Sequence, residues 1–176
     1  SPGHSPYSWS FYSYPTQNIL NNNSYVTYGT NQAYGTGDII SVAVDLVNNK
    51  IYWAKNNVYL NSGDPANDSN GRAIDAAALT DIGAYMPAFG DHDQGQVETG
   101  YMNFGQDGTF GGNKTAGGNT DDEGYGNFFY DVPAGFLAIC SKNLPDPTIA
   151  KPNEHFNTVI YTGNGGTQSI TDVGFQ

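Results

Sequence analysis

The chain predicts an all-β fold, an antiparallel β-sandwich, from three observations. Short runs alternate apolar and polar residues, asparagine and glycine crowd the segments between them, and helical periodicity is almost absent. The clearest run is GDIISVAVDLVNNKIYWAKNNVYL, residues 37–60. With Asn48 and Asn49 at the centre of a two-residue turn, where asparagine tolerates positive φ, Leu46 is expected opposite Ile51, Asp45 opposite Tyr52, Val44 opposite Trp53 and Ala43 opposite Ala54. Val44, Leu46, Ile51 and Trp53 then share one face as structural core, each contributing roughly 1.5 to 3 kcal/mol by burial. A one-residue slip would turn all four to solvent, so the register should be enforced. A second pair, Asn56 and Asn57, turns the chain again before Val58 and Leu60.

The other expected strands are Trp9 to Tyr14, Tyr25 to Tyr28, Ile39 to Asp45, Lys50 to Ala54, Met86 to Phe89, Val97 to Phe104, Phe136 to Cys140, Asn157 to Tyr161 and Gln168 to Thr171. Asp75 to Leu79 can form one helical turn, too short to stand alone. Asn61 to Thr80 and Asp107 to Asp122 read as long polar loops, which in a compact domain are usually functional or mobile. Pro145, Pro147 and Pro152 make 143–153 a stiff extended linker. The domain reading is therefore a β-sandwich over 1–142, the linker, and a C-terminal β-segment over 154–176.

The 37–60 run resembles the central hairpin of SPRY domains, where Gly-Asp leads into a V-A-x-D-L strand, a turn, a K-I-x-W/F strand and a K-N-G turn. The matching residues are Gly37, Asp38, Val42, Ala43, Asp45, Leu46, Lys50, Ile51, Trp53, Lys55 and Asn56, with Asn57 in place of the glycine. Asn57 can also enter the left-handed region, so the turn is kept. Tyr85-Met86-Pro87-Ala88-Phe89 and Met102-Asn103-Phe104-Gly105-Gln106 look like the later Y-P-A and N-F-G-Q strands. From Pro133 onward, with Pro133-Ala134-Gly135-Phe136, Asn143-Leu144-Pro145-Asp146-Pro147 and Tyr161-Thr162-Gly163-Asn164-Gly165 as markers, the chain is similar to the join between a SPRY-like module and a second β-module in tail and appendage proteins of marine bacteriophages. The resemblance implies a concanavalin-like jelly roll.

Such sandwiches usually have several strands before the stretch matching Tyr7 to Tyr34. Missing strands would leave hydrogen-bonding edges and part of the core open. Either a neighbouring subunit fills the gap or the chain is a processed product or fragment. Under the first alternative the donated strands lie between Phe156 and Phe175, with Phe156, Val159, Tyr161, Ile170 and Phe175 as subunit contacts.

Composition excludes several functions. Lys and Arg total 6 against 17 acidic residues, a formal charge of -11. Phosphate backbones and anionic membranes would be repelled, so no nucleic acid is expected as a partner. Apolar runs are far shorter than a membrane span, and no charged-then-apolar leader opens the sequence, so no membrane insertion is expected. With one cysteine, Cys140, there is no intrachain disulfide, and its apolar neighbours make it a buried strand position.

Chemistry-bearing groups are sparse. Asp91, His92, Asp93 and Glu98 in one loop, and Asp121, Asp122 and Glu123 in another, suit calcium by ligand type; Asp91, Asp93, Asp121, Asp122 and Glu123 are the candidate ligands. Neither group has the D-x-D-x-D-G order with a distal glutamate, so solvated loop acids are the alternative reading. His4, His92 and His155 lack zinc spacing. Glycan hydrolysis needs two carboxylates flanking a bond, one held protonated, whereas these acids lie in wet loops. No nucleophile elbow or phosphate loop is present, and no catalytic residue or cofactor is expected.

Thirteen Tyr, nine Phe and two Trp make 14% of the chain. They can form contact surfaces, or simply serve as strand residues with wet hydroxyls. Asn22, Asn67 and Asn113 head N-x-S/T sequons, candidates for glycosylation that chance also explains in so asparagine-rich a chain.

The expected function is a non-catalytic structural and recognition subunit of a phage tail fibre or similar extracellular appendage, located in the virion or outside the cell. It would assemble by β-strand contacts with itself or other appendage proteins, and bind a cell-surface glycan or protein through its loops. The alternatives are a pilus-like extracellular filament subunit unrelated to a virion, and a carbohydrate-binding or glycan-hydrolysing concanavalin-like module.

Overall fold

A computed structural model describes residues 2–12, 18–29, 33–75, 83–90, 99–146, 148, 156 and 158–171. The chain divides into two compact units, Ser1–Cys140 and Ser141–Gln176. The described residues form antiparallel strands and short 3-10 turns, with no α-helix among them, so the fold is all-β.

The first sheet has the order β1 (Trp9–Tyr12), β2 (Asn18–Asn21), β3 (Ser24–Thr27). Asn22 and Asn23, at φ 51° and 60°, close the β2–β3 hairpin with the left-handed backbone that a tight turn between right-twisted strands needs. Phe11, Ile19 and Val26 are cross-strand partners and so share a face. On the opposite face Leu20 is also buried, because the N-terminal segment folds over it. Gly3 is obligatory there: its φ is +86°, and an added Cβ would lie 2.7 Å from the Leu20 carbonyl oxygen. β2 has no counterpart among the expected strands, and residues 13–17 lie outside the description.

The second sheet contains β4 (Ile40–Asp45), β5 (Lys50–Lys55) and β6 (Val58–Tyr59), with β7 (Arg72–Ala73) also paired to β5. Its hairpin corrects the expected register. Val44 pairs with Ile51, Val42 with Trp53, Ala43 with Tyr52 and Asp45 with Lys50. The turn therefore holds four residues, Leu46 to Asn49, rather than two. Asp45 is the cause: its Oδ1 accepts from Val47 N at 2.8 Å and Asn48 N at 2.9 Å, and its Oδ2 accepts from Asn48 Nδ2 at 2.8 Å. These bonds stabilise a wider loop than asparagine conformation alone requires. The Asn48 backbone amide above all holds the Asp45 carboxyl below its ordinary range.

The displacement is two residues, which preserves side-chain parity, so Val44, Ile51 and Trp53 still share a face, now with Val42. The expected core quartet does not survive intact. Trp53 is 4% exposed and Ile51 packs against the core, but Val44 is 41% and Leu46 50% exposed. Leu46 has left the strand, and Val44 sits on the outer strand of the sheet. Core is instead found on both faces of β5, where Tyr52, Trp53 and Ala54 are successive buried residues. A strand covered on both sides needs a continuous apolar run rather than alternation.

Ile19, Tyr28, Trp53 and Leu60 form the central cluster, with Trp9, Phe11, Ile40 and Ile51 packed around it, so the two sheets contribute to one core. Tyr28 and Trp53 meet edge to face at 5.7 Å between ring centroids. The Tyr28 hydroxyl donates to the Asn70 carbonyl at 3.1 Å, satisfying its polar end.

Beyond residue 83 the expected strands are not formed in the described residues: 86–89, 99–104, 136–140, 158–161 and 168–171 carry no strand pairing. Cys140 is half-buried in a bend rather than a strand. Pro87 interrupts the first of them, and side chains take up backbone groups of two others: Ala138 N donates to Asp121 Oδ2, and the Met102 carbonyl accepts from Gln106 Nε2. Most of Asp75 to Leu79, and the linker prolines Pro147 and Pro152, lie outside the described residues.

Candidate functional site

Three places in the Ser1–Cys140 unit gather polar or aromatic groups: the loops of residues 103–138, a cleft beside β6, and the buried end of Tyr52.

The loops are built on side-chain acceptors. Asp107 Oδ1 accepts from the Thr109 hydroxyl at 2.6 Å and Thr109 N at 2.8 Å, while Oδ2 accepts from Gly111 N at 2.8 Å. These bonds, the Thr109 hydroxyl foremost, lower the Asp107 pKa. Asn103 Oδ1 accepts from Gly105 N at 2.8 Å and Asp107 N at 3.2 Å. Asp121 is 5% exposed; Oδ1 accepts from Tyr125 N at 2.8 Å and Glu123 N at 3.1 Å, and Oδ2 from Ala138 N at 2.8 Å. Asp122 Oδ2 accepts from Gly135 N at 2.7 Å, and Glu123 is exposed.

Of the calcium candidates, Asp121 is thus fitted to peptide N–H groups, donors that occupy the lone pairs a cation would need. Among the described residues no three His, Cys, Asp or Glu side chains converge as a metal site. Asp91, Asp93, His92 and Glu98 lie outside the described residues.

The cleft has a volume of about 510 Å³ and is lined by Tyr59, Asp64, Pro65, Asp131, Val132 and Pro133 among others. Asp64 opens the Pro65–Asn67 turn, accepting from Asn67 N at 3.3 Å and Asn67 Nδ2 at 2.7 Å. Burial pushes the Tyr59 phenol up to about 12, so it stays neutral. A neutral phenol, two prolines and one exposed carboxylate make a surface suited to stacking and hydrogen bonding.

Tyr52 is fully buried, and its hydroxyl donates to Asp68 Oδ1 at 3.1 Å, an oxygen that also lies 2.8 Å from Lys50 Nζ. Burial first, and the Asp68 carboxylate second, raise the Tyr52 pKa to about 12. This cluster anchors the 61–70 loop to β5. A second ion pair, Lys55 Nζ to Asp38 Oδ2 at 3.1 Å, ties the start of β4 to the end of β5.

The sequon asparagines Asn22, Asn67 and Asn113 are all exposed. The Asn67 amide donates to Asp64 as above, and Asn113 Nδ2 donates to the Phe110 carbonyl at 2.6 Å. Of the expected subunit contacts, Phe156 is 71%, Tyr161 60%, Ile170 40% and Val159 38% exposed, and Phe175 lies outside the described residues.

Sequence reasoning passed over Asp107, Asn103 and Asp68. The signal for the first two was present in Asn103-Phe104-Gly105 and Asp107-Gly108-Thr109, where an Asx residue stands two positions before a small or hydroxylated one. No protein-family model matches the chain, and no curated protein matches it.

Proposed function

We propose that this protein is a non-catalytic structural and recognition subunit of an extracellular appendage such as a phage tail fibre, built on a SPRY-like jelly roll and assembled through β-strand contacts. The observation that carries this reading is the C-terminal segment. Ile160 is 99%, Phe156 71% and Tyr161 60% exposed, on a stretch in which residues 156–171 contain no charged side chain. Apolar groups displayed on chain without pairing of its own are suited to burial against another molecule. The engagement of Asp64, Asp107 and Asp121 with backbone amides agrees with a role for these acids in holding loops. On this reading the subunit works in a virion or outside the cell, and its partners are further copies or other appendage proteins. Electron microscopy of the purified protein and its native particle tests it: fibres or a tail tip carrying the subunit are expected, and dispersed single copies with no particle would overturn it. A pilus-like filament outside any virion is the same assembly in another setting, separated by what the native particle contains.

The cleft beside Tyr59 favours a second reading, a carbohydrate-binding or glycan-hydrolysing module. Glycan arrays and a reducing-sugar assay on the chain and its Asp64→Ala and Asp131→Ala variants separate the two. Sugar release lost in either variant would replace the structural reading; unchanged behaviour supports it.

A further inference from the structure

β4 is the outer strand of its sheet. Its backbone bonds run to β5, and among the described residues no backbone hydrogen bond leaves Ile40 to Asp45 in the other direction. In an antiparallel pair every second residue turns its N–H and C=O away from the partner, so this side of β4 offers an unfilled ladder. Side chains reinforce the opening. Val42 and Val44, 54% and 41% exposed, lie on the same face as Ile51 and Trp53, so the apolar face of the sheet runs to its rim and stops uncovered. Natural edges usually carry a charge, a proline or a bulge as protection. Ile40 to Val44 has none: Asp38 is held by Lys55 at one end, and Asp45 by its own turn at the other.

The same chain contains a segment with the complementary properties. Thr158 to Thr162 carries no helix, turn or strand pairing, and places Val159, Ile160 and Tyr161 at 38%, 99% and 60% exposure. Charge selects it further. Two copies that each carry -11 repel, and contact is favoured only where both surfaces are free of acid; residues 156–171 and Ile40 to Val44 both are.

We infer that Thr158–Thr162 of one copy adds as a strand to the open edge of β4 in a second copy. Val159 and Tyr161, which point alike by the period of two, lie beside Val42 and Val44 and extend the apolar face. The contact is head to tail, so it propagates into a chain of subunits unless a ring closes it. This inference rests on the assembly reading above and adds which edge receives and which segment is given.

Two single variants and their mixture test it. Val42→Asp spoils the receiving edge and Ile160→Pro spoils the given strand, each weakening association by about 100-fold. Ile160 is 99% exposed, so its replacement leaves the sheets folded even if Val42→Asp does not. By sedimentation at moderate and high salt, the unaltered chain is expected to assemble, more strongly at high salt as repulsion is screened. Each variant alone stays single, and the mixture forms two-chain complexes only, from one intact edge and one intact strand. Hydrogen exchange should slow on assembly at the β4 amides that turn away from β5.

Assembly by Ile160→Pro as strong as that of the unaltered chain would overturn the inference, as would β4 amides turned away from β5 that stay unprotected in the assembly or are already protected in a single chain. Assembly that persists in both variants sinks this edge and leaves the appendage reading standing. Assembly without any fibre or particle does the reverse.

Discussion

The carboxylate of Asp121 accepts a hydrogen bond at 2.8 Å from the backbone N–H of Ala138, seventeen positions along the chain, and both residues are buried. The other oxygen of Asp121 binds Glu123 N and Tyr125 N, so one side chain closes a local turn and pins a distant segment at once. Replacing Asp121 with Asn puts an NH₂ where an acceptor is needed and removes the charge that strengthens these bonds. Asp121→Asn should destabilise by about 2 to 3 kcal/mol in urea unfolding. Because amides occupy these oxygens, adding calcium or a chelator should leave the unfolding midpoint of the unaltered chain in place; a calcium-dependent rise abolished by Asp121→Asn would return this carboxylate to the metal-ligand role.

Gly71 lies against the Tyr52 ring, and an added Cβ would stand 2.5 Å from Cζ and 2.8 Å from the hydroxyl. The ring is fully buried and also meets Phe136 edge to face, at 6.5 Å between centroids, so little space is left for it to shift. Gly71→Ala is expected to destabilise by about 1 to 3 kcal/mol through overpacking. The near-ultraviolet circular dichroism of tyrosine should change with it, and an unaltered signal would mean that the site has room.

The observed hairpin register separates Leu46 from Trp53. Leu46→Ser, in an exposed turn, should change stability by no more than about 0.5 kcal/mol, whereas Trp53→Ala, in the central cluster, should destabilise by about 3 to 5 kcal/mol. Comparable losses at both positions would restore the two-residue turn. Asn57, at φ 68°, offers an independent check on the second turn. Asn57→Val forces a branched side chain into the left-handed region and should destabilise by about 1 to 2 kcal/mol.

Alkaline titration reads the buried end of Tyr52. In the folded chain its pKa lies near 12 against an ordinary 10.0, so the unfolded chain releases this proton first. The resulting stability is whole below pH 10 and is lost as pH rises through the folded value. In the unaltered chain, the urea midpoint should therefore fall between about pH 10 and 12. Tyr52→Phe should flatten that part of the fall, leaving what Tyr59 contributes. An equal decline in both proteins would show that Tyr52 ionises freely.

Legibility in the sequence followed the kind of bond that holds each part. β4, β5 and the Asn56–Asn57 turn could be read because they rest on side-chain period and on φ preference, both local in sequence. The other turn misled because Asp45, a side chain counted as part of the strand, widens it. Tyr52 was placed on the polar face because alternation was assumed where Ile51-Tyr52-Trp53-Ala54 is in fact continuous, the mark of a strand covered twice. β2 was missed because Asn18-Ile19-Leu20-Asn21 has only two apolar residues between asparagines. Val97 to Phe104 and Phe136 to Cys140 have strand composition, yet among the described residues 99–104 and 136–140 carry no strand pairing. Composition reports preference, and pairing needs a partner far away in sequence.

Asp121 also says how unevenly this chain tolerates change. A ladder of peptide bonds is indifferent to most replacements at its exposed positions, so Val42 and Val44 of β4 can drift in sequence while the pairing endures. In the 121–138 region one buried carboxylate holds both a local turn and the Ala138 segment, and a single codon change there loosens two segments together. Variation among related chains should accordingly be permissive around this residue and nearly silent at it.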